Sequence, residues 1–557
     1  MRVMRSVAAA VVTGLCALAA LPAAAQVTVL TAQRIDTMDL ARPRAEAMAY
    51  DASGRILRLG DAEELLSAYP DAKRVDLGAA TVVPGLIDAH GHMLGQGLTH
   101  LTANLVGTTS KAEIIARLRA FAANLPPGEW LVGNGWDQND WTEKAFPTAA
   151  DLDAAFPERP VWLDRIDGHA GWANSAAMRA VGRDLAGDWQ PDGGRIVRDA
   201  GGVATGIFVD GAMGLVSGAI PALDDADLRK ALSLAMQDAV SHGLTGVHDA
   251  GVSLGTLRVM QDMADAGEMP MRITAMADGD DEALAWLCEA GLYQHPSHRL
   301  KMRTVKLYVD GALGSRGAAL LEDYSDDHGN MGLLLMTPEQ MHQAVRKAHQ
   351  CGVQVATHAI GDRGNRVVLD SYEAVLGDEA TGSDHRWRIE HAQILAPEDL
   401  PRLAALHVIA SMQPTHATSD MPWAEDRLGP QRINGAYAWR KLRDSGARLA
   451  LGSDFPVELV DPRLGLYAAT TRTDAQGLPK GGWHPEDRLT AYEALRGFTL
   501  DAAYAGFAEA EVGSLAPGKR ADFVVLAQDP LAVPPASLRD LDVLSTWVDG
   551  KPVYEAP

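Results

Sequence analysis

Cysteine is nearly absent from this chain: 3 in 557 residues. So few thiols exclude a disulfide-framed scaffold, and a chain this long does not need one. Cys16 falls in the N-terminal apolar run, which leaves Cys288 and Cys351 for the folded part. Neither has CxxC spacing, so the commonest thiolate-zinc and redox motifs are missing too. Both lie in helix-like stretches, 284–290 and 341–352, where a buried, small apolar role is expected. Positive charge is also in deficit. Lys+Arg 50 against Asp+Glu 73 leaves −23, which argues against nucleic acid or an anionic membrane as partner. No Gly-rich phosphate loop follows a strand, which speaks against a dinucleotide-binding open sheet. Repeats and low-complexity tracts are missing beyond the Ala-rich start.

That start reads as a leader. Arg2 and Arg5 precede an apolar stretch from Val7 to Leu21, and Ala23-Ala24-Ala25 precedes Gln26. A short apolar run with small residues after it fits a cleaved export signal, residues 1–25, rather than a membrane anchor. Export to a bacterial periplasm is the simplest expectation, with no stable membrane span after cleavage. Lipidation at Cys16 is not expected, because Thr13-Gly14-Leu15 puts no small residue directly before it.

The rest alternates between strand and helix. Candidate strands are 82–90, 245–249, 271–277, 304–310, 353–358, 387–391, 408–413 and 448–454. Helical stretches at 225–242, 337–349, 366–376 and 397–406 fall between them. Eight strands with helical crossovers predict an α/β fold, a (β/α)8 TIM barrel over 84–507. The two chain ends, 26–83 and 508–557, carry short alternating strands and turns, as in Ile56-Leu57-Arg58-Leu59 and Asp549-Gly550. They are expected to build one small β-sandwich together. A long insertion after the first barrel strand, about 93–223, holds several tryptophans. It either caps the substrate cleft or adds a packing layer.

Barrel enzymes gather their chemistry at the C-terminal strand ends. His90-x-His92 puts two imidazoles on one face of the first strand, because strand side chains alternate. Lys306, His358, His391 and Asp454 end four other predicted strands. Neutral imidazoles and a carboxylate are natural ligands for a divalent metal. An ammonium beside such ions would be driven to lose its proton. The neutral amine of Lys306 could then take up carbon dioxide as an anionic carbamate.

The chain resembles the amidohydrolase superfamily. The resemblance rests on Val83-Pro84-Gly85-Leu86-Ile87-Asp88-Ala89-His90-Gly91-His92, Thr357-His358-Ala359-Ile360-Gly361-Asp362, Ile389-Glu390-His391-Ala392-Gln393, Gly452-Ser453-Asp454-Phe455-Pro456 and the tail Gly513 to Asp522. Two further stretches, Val305 to Arg316 and Asp167 to Asn174, resemble its YtcJ-like branch. The resemblance implies that His90 and His92 bind one metal, and His358 and His391 a second. It implies that Asp454 touches metal and shuttles protons, and that Lys306 bridges two ions as a carboxylated lysine. Zinc is the expected ion, one or two per chain, with iron, manganese or nickel also fitting the ligands.

The expected reaction is hydrolysis of a non-peptide C–N bond, of N-acyl, formamide or cyclic amide type, in a small-molecule substrate. Hydroxide from an ion-bound water would be the nucleophile. A metal-dependent esterase or lactonase with the same site is the rival reading, and a non-catalytic solute-binding barrel the rival of another class. Substrate contacts are expected from Trp136, His169, Trp172, Asp310, Arg316, Gln413 and His416. Arg316 would clamp a carboxylate, as in an acyl amino acid. Trp141 and Asn174 are further candidates. A homodimer is compatible with the resemblance.

Overall fold

The computed structural model describes residues 27–126, 128–279 and 282–557. The expected leader lies outside them. Eight parallel strands form a nearly closed barrel: β1 (Leu86–Gly91), β2 (Leu244–Val252), β3 (Arg272–Asp278), β4 (Leu300–Tyr308), β5 (Gln354–Ala359), β6 (Arg388–His391), β7 (Ile409–Met412) and β8 (Leu449–Leu451). They pair in chain order. Every residue of β1 and of β5 to β8 is buried, as strands covered on both faces require. The seam between β8 and β1 is closed by short contacts. Asp454 N donates to His90 O at 2.7 Å. Asp88 accepts from Ser453 Oγ at 2.6 Å and from Ser453 N at 3.1 Å. Gly452 permits this, since a Cβ there would stand 2.5 Å from Asp88 Oδ1.

The expected first strand is two strands. Thr81–Pro84 pairs antiparallel with Phe523–Leu526 in a different sheet, and Gly85 then hands the chain to β1. A Cβ on Gly85 would sit 2.1 Å from Thr245 Oγ1, so only glycine allows the close crossing. That second sheet joins the chain ends, running 551–555, 543–548, 523–526, 81–84, 28–36, 44–50, 56–60. Strand 73–76 lies beside the first half of 28–36. It surrounds an apolar cluster that includes Leu30, Met48, Val82, Phe523 and Trp547.

The insertion has a six-stranded sheet of its own, between Ala103 and Asp210. The sheet starts later than the insertion was expected to, because helix Met93–Thr99 belongs to the barrel's outer layer. There Gln96 Nε2 donates to Asp238 Oδ2 at 2.8 Å, on helix Asp225–Ser241. Trp136, Trp141 and Trp172 pack with Ile114 and Leu118 in the insertion's own core. Trp136 Nε1 donates to Leu163 O and Trp172 Nε1 to Thr148 O. Buried indoles with satisfied N–H groups are packing residues, and neither Trp136 nor Trp172 lines the cavity at the barrel mouth. Asn174 caps helix Ser175–Ala180 through Ala177 N, a structural duty as well.

The cysteines also depart from expectation: Cys288 and Cys351 are joined in a disulfide. Helix Glu282–Ala290 follows β3 and helix Pro338–Gln350 follows β4. Neighbouring crossovers lie side by side on the barrel's outside, so two isolated thiols meet. Local helical patterning carries no sign of that meeting. The bridge spans 63 residues, and loop-closure entropy puts its worth at about 4 kcal/mol. Cys351→Ala is therefore expected to lower the free energy of unfolding by about 2–4 kcal/mol. Urea denaturation with and without reductant checks this, since reductant should destabilise the parent and leave the variant unchanged.

Candidate metal centre

The strand ends bring the expected side chains together around Asp454. His90 Nδ1 bonds Glu390 Oε2 at 2.5 Å, and His92 Nδ1 bonds Ala250 O at 2.9 Å. Each ring therefore presents Nε2 to the centre, 3.4 Å and 3.1 Å from Asp454 Oδ1. On the other side His416 Nε2 lies 3.7 Å from Asp454 Oδ2. His391 stacks on His416 with ring centroids 5.8 Å apart, its Nδ1 bonded to Gln413 Oε1 at 2.8 Å. His358 packs against His391 at 4.5 Å. Lys306 Nζ lies 3.1 Å from His90 Nε2. His391 and Asp454 both sit at positive φ, 73° and 64°. L-residues avoid this region, and it recurs where side chains are held for function.

The donor set fits divalent cations. Two groups, His90/His92/Asp454 and His391/His416/Asp454, each have ligand atoms within 4.8 Å of one another. His358 Nε2, His416 Nε2 and Asp454 Oδ1 are buried without a hydrogen-bond partner. Leaving such atoms unsatisfied costs about 1–3 kcal/mol each, and a cation held by His391, His416 and Asp454 would give two of these residues a partner. Protonation suits ligation as well. Burial pushes His90, His358 and His391 well below the usual imidazole range, and Lys306 adds to the push. Burial would raise Asp454, but His90, His92 and His416 outweigh it and hold the carboxyl well below its ordinary value. Burial lowers the Lys306 amine to about 8, against the opposing charges of Glu390 and Asp454.

Beneath the ligands lies a network that sequence reasoning missed. Glu390 is fully buried and joins His90 to Arg388, whose Nη2 also reaches Glu390 Oε2 at 2.9 Å, Ala89 O at 2.6 Å and Ser411 Oγ at 2.6 Å. Arg388 Nη1 meets His248 Nδ1 at 2.9 Å. The signal was there: Arg388 and Glu390 alternate on β6, so period two puts both inside the barrel.

The second tier divides. His169 and His416 line the cavity over the site. Gln413 orients His391 and does not reach the cavity wall. Asp310 spends its oxygens on the N–H groups of Ala319, Ile360 and Gly361, at 2.8–3.0 Å. It ties loops together under His358 and does not line the cavity. Arg316 turns away to Asp326, Nη2 to Oδ2 at 3.0 Å, because the loop after β4 folds back on itself. It is paired there and does not line the cavity, where a carboxylate clamp would have to stand.

The cavity is about 750 Å³. Barrel strand ends make its floor, and insertion residues such as Val132, Asp164 and His169 make a wall. Leu94, Leu98, Leu313 and Trp423 supply apolar surface. Among the described lining residues the only Lys or Arg side chains are Lys306, on the floor, and Arg165. Arg165 is already paired with Asp137 and Asp167. Asp140, Asp164, Asp420 and Glu458 also line the cavity, and burial raises all four carboxyls, Asp164 to about 6 and Asp420 to about 7.

The amidohydrolase family model matches residues 73–554. The chain is 35% identical over 525 residues to YtcJ of Bacillus subtilis, named for the amidohydrolases, covering 92% of this chain and 96% of that one. It is 31% identical over 537 residues to an N-substituted formamide deformylase of Arthrobacter pascens, covering 94% and 97%. A solved structure of an uncharacterized metal-dependent hydrolase from Pyrococcus horikoshii superposes with a TM-score of 0.74 at 28% identity, over 92% of this chain and 99% of that one. Histidines and an aspartate gathered at the mouth of a parallel barrel agree with all three likenesses, and this chain belongs to the amidohydrolase family, an enzyme of its metal-dependent hydrolases.

Proposed function

We propose that this enzyme hydrolyses a non-peptide C–N bond, of N-acyl, formamide or cyclic amide type, in a neutral or cationic small molecule. The convergence of His90, His92, His391 and His416 on Asp454 carries the reading. Those residues, with His358, would hold one or two divalent ions, and zinc suits imidazole-rich ligation best. Bound ions supply Lewis acidity and a water of lowered pKa. Asp454, held ionised, takes up a proton at its carboxylate and returns it to the departing nitrogen. Lys306 is buried and depressed towards neutrality, the state that adds carbon dioxide and releases a proton to give a carbamate. The apolar wall of Leu94, Leu98 and Leu313 limits water around the scissile bond.

The likeness to a formamide deformylase supports an amide over an ester. Among the described lining residues Arg165 is already paired with Asp137 and Asp167 and Lys306 lies among the ligands, which leaves no free cation to receive a substrate carboxylate. The Cys288–Cys351 bridge supports an oxidising compartment, in keeping with the leader expected at 1–25 and a periplasmic location.

Elemental analysis and a substrate panel test the reading: N-substituted formamides, N-acyl amino acids, cyclic amides and matched esters, before and after chelation. The expected result is bound divalent metal and chelator-sensitive turnover. Neutral formamides should exceed N-acyl amino acids by about tenfold or more in kcat/KM. A protein that stays metal-free in excess zinc would defeat the proposal. Ester turnover without amide turnover would favour the esterase reading.

A further inference from the structure

The barrel has a second cavity, at the end opposite the metal centre. It holds about 160 Å³ and opens among the first residues of β1 to β4, with residues of segment 507–512 across them. Its charged walls are Arg272, Lys301, Glu511 and Asp522. Three of these are paired. Arg272 meets Asp522 at 2.7 Å and Asp549 at 2.6 Å, and Glu511 meets Arg520 at 2.8 Å. Lys301 is the exception. Its Nζ donates to Gly506 O, and among the described residues no carboxylate pairs with it. Burial, with Arg303 two residues along β4, lowers its amine to about 8, while Glu509 and Glu511 pull the other way without reaching it.

Arg303 is also without a carboxylate partner among the described residues. Its guanidinium stacks on Phe507 at 3.5 Å, and its buried Nε has no hydrogen-bond partner. Phe507 is itself a wall of the cavity. A chain with Asp+Glu 73 against Lys+Arg 50 has carboxylates to spare, yet none is placed against these two cations. A buried ammonium is costly unless a counter-charge meets it. His248 forms the inner wall. Burial holds its ring well below the usual imidazole range, so it is neutral. Arg388 Nη1 donates to its Nδ1, and a guanidinium accepts nothing, which leaves the ring's proton on Nε2. That atom faces the same Gly506: a Cβ there would stand 2.6 Å from it. An ammonium and an N–H donor thus converge beside one glycine. The rest of the wall includes Ile87, Val247, Ile273 and Val512.

We infer that this cavity binds a small monocarboxylate, its charge on Lys301 Nζ and the His248 Nε2–H and its short apolar chain against Ile273 and Val512. Charge-assisted hydrogen bonds fix the head group, and the apolar wall favours a carboxylate with a hydrocarbon tail over inorganic phosphate. Arg303 adds positive potential from beside Phe507. The site is separate from the metal centre, with His248, Arg388 and Glu390 between the two. It does not depend on the hydrolase reading.

Calorimetry on the metal-loaded full chain tests this with butyrate, its neutral isostere 2-pentanone and inorganic phosphate. Butyrate should bind about tenfold more tightly than either, or better. A carboxylate can also reach bound metal ions, so the variants decide the place. Lys301→Met should weaken butyrate about tenfold or more and leave 2-pentanone affinity and metal content unchanged. Arg303→Gln should weaken butyrate by a smaller factor. In crystals soaked with 4-bromobutyrate, the anomalous signal of bromine should lie against Ile273 and Val512. No butyrate binding, unchanged butyrate affinity in Lys301→Met, or bromine at the metal centre alone overturns the inference. So does 2-pentanone binding as tightly as butyrate, and phosphate binding more tightly overturns the carboxylate class. If Lys301→Met fails to fold, Lys301→Gln and the bromine position in the parent carry the same comparison.

Discussion

Asp454→Asn is expected to lower kcat by about 10³-fold while the chain stays folded. Asparagine keeps the shape of the side chain and the Asp454 N to His90 O bond that closes the barrel seam. It removes the charge towards which His90, His92 and His416 point, and with it the group that can hold and return a proton. Both candidate ligand groups share this carboxylate, so some metal should be lost too. Measuring kcat at fixed, independently determined metal content separates the two effects. A variant within tenfold of the parent at full occupancy would remove Asp454 from proton transfer and leave it a ligand only.

Glu390→Ala is expected to cost about 3–5 kcal/mol of stability and to weaken metal binding about 10–100-fold. Glu390 is the counter-charge of a fully buried arginine and the orienting partner of His90 Nδ1. Its removal leaves the Arg388 guanidinium in the barrel interior with Ala89 O, Ser411 Oγ and His248 as neutral partners. Neutral acceptors do not repay the desolvation of a charge. Glu390→Gln keeps the volume and should fall between the parent and alanine. Chemical denaturation of the metal-free chain reads the first effect, and a zinc-indicator titration the second. Alanine within 1 kcal/mol of the parent would mean that water or movement of Arg388 relieves the charge.

Why some of this was legible in the sequence, and some not, follows from what a strand pattern carries. Val355, Ala356 and His358, or Leu449, Ala450 and Asp454, read as apolar runs ending in ligands, because buried parallel strands must be apolar until they reach the functional rim. Spacing says which face a residue occupies. It does not say whether that residue's polar atoms are already spent. Asp310 shares β4's expected face with Lys306, yet three backbone N–H groups take its oxygens. Trp136 and Trp172 read as substrate contacts until Leu163 O and Thr148 O account for their N–H groups. Arg316 was assigned to a cleft that its loop turns away from. The Cys288–Cys351 bridge joins residues whose nearness comes only from the order of crossovers around the barrel. His416 was legible as a site residue, but its pairing with His391 and Asp454 was not, since that depends on where helix Pro414–Asp420 starts.

The seam between β8 and β1 fixes the order of events during biosynthesis. His90 leaves the ribosome early and waits for a partner made 364 residues later, because Asp454 docks only when the last barrel strand arrives. The strand leading into β1 is in turn clamped by Phe523–Leu526, later still. A half-made chain therefore owns imidazoles but no complete ligand set, and loading with ion belongs to the finished polypeptide, in whichever compartment it completes its folding.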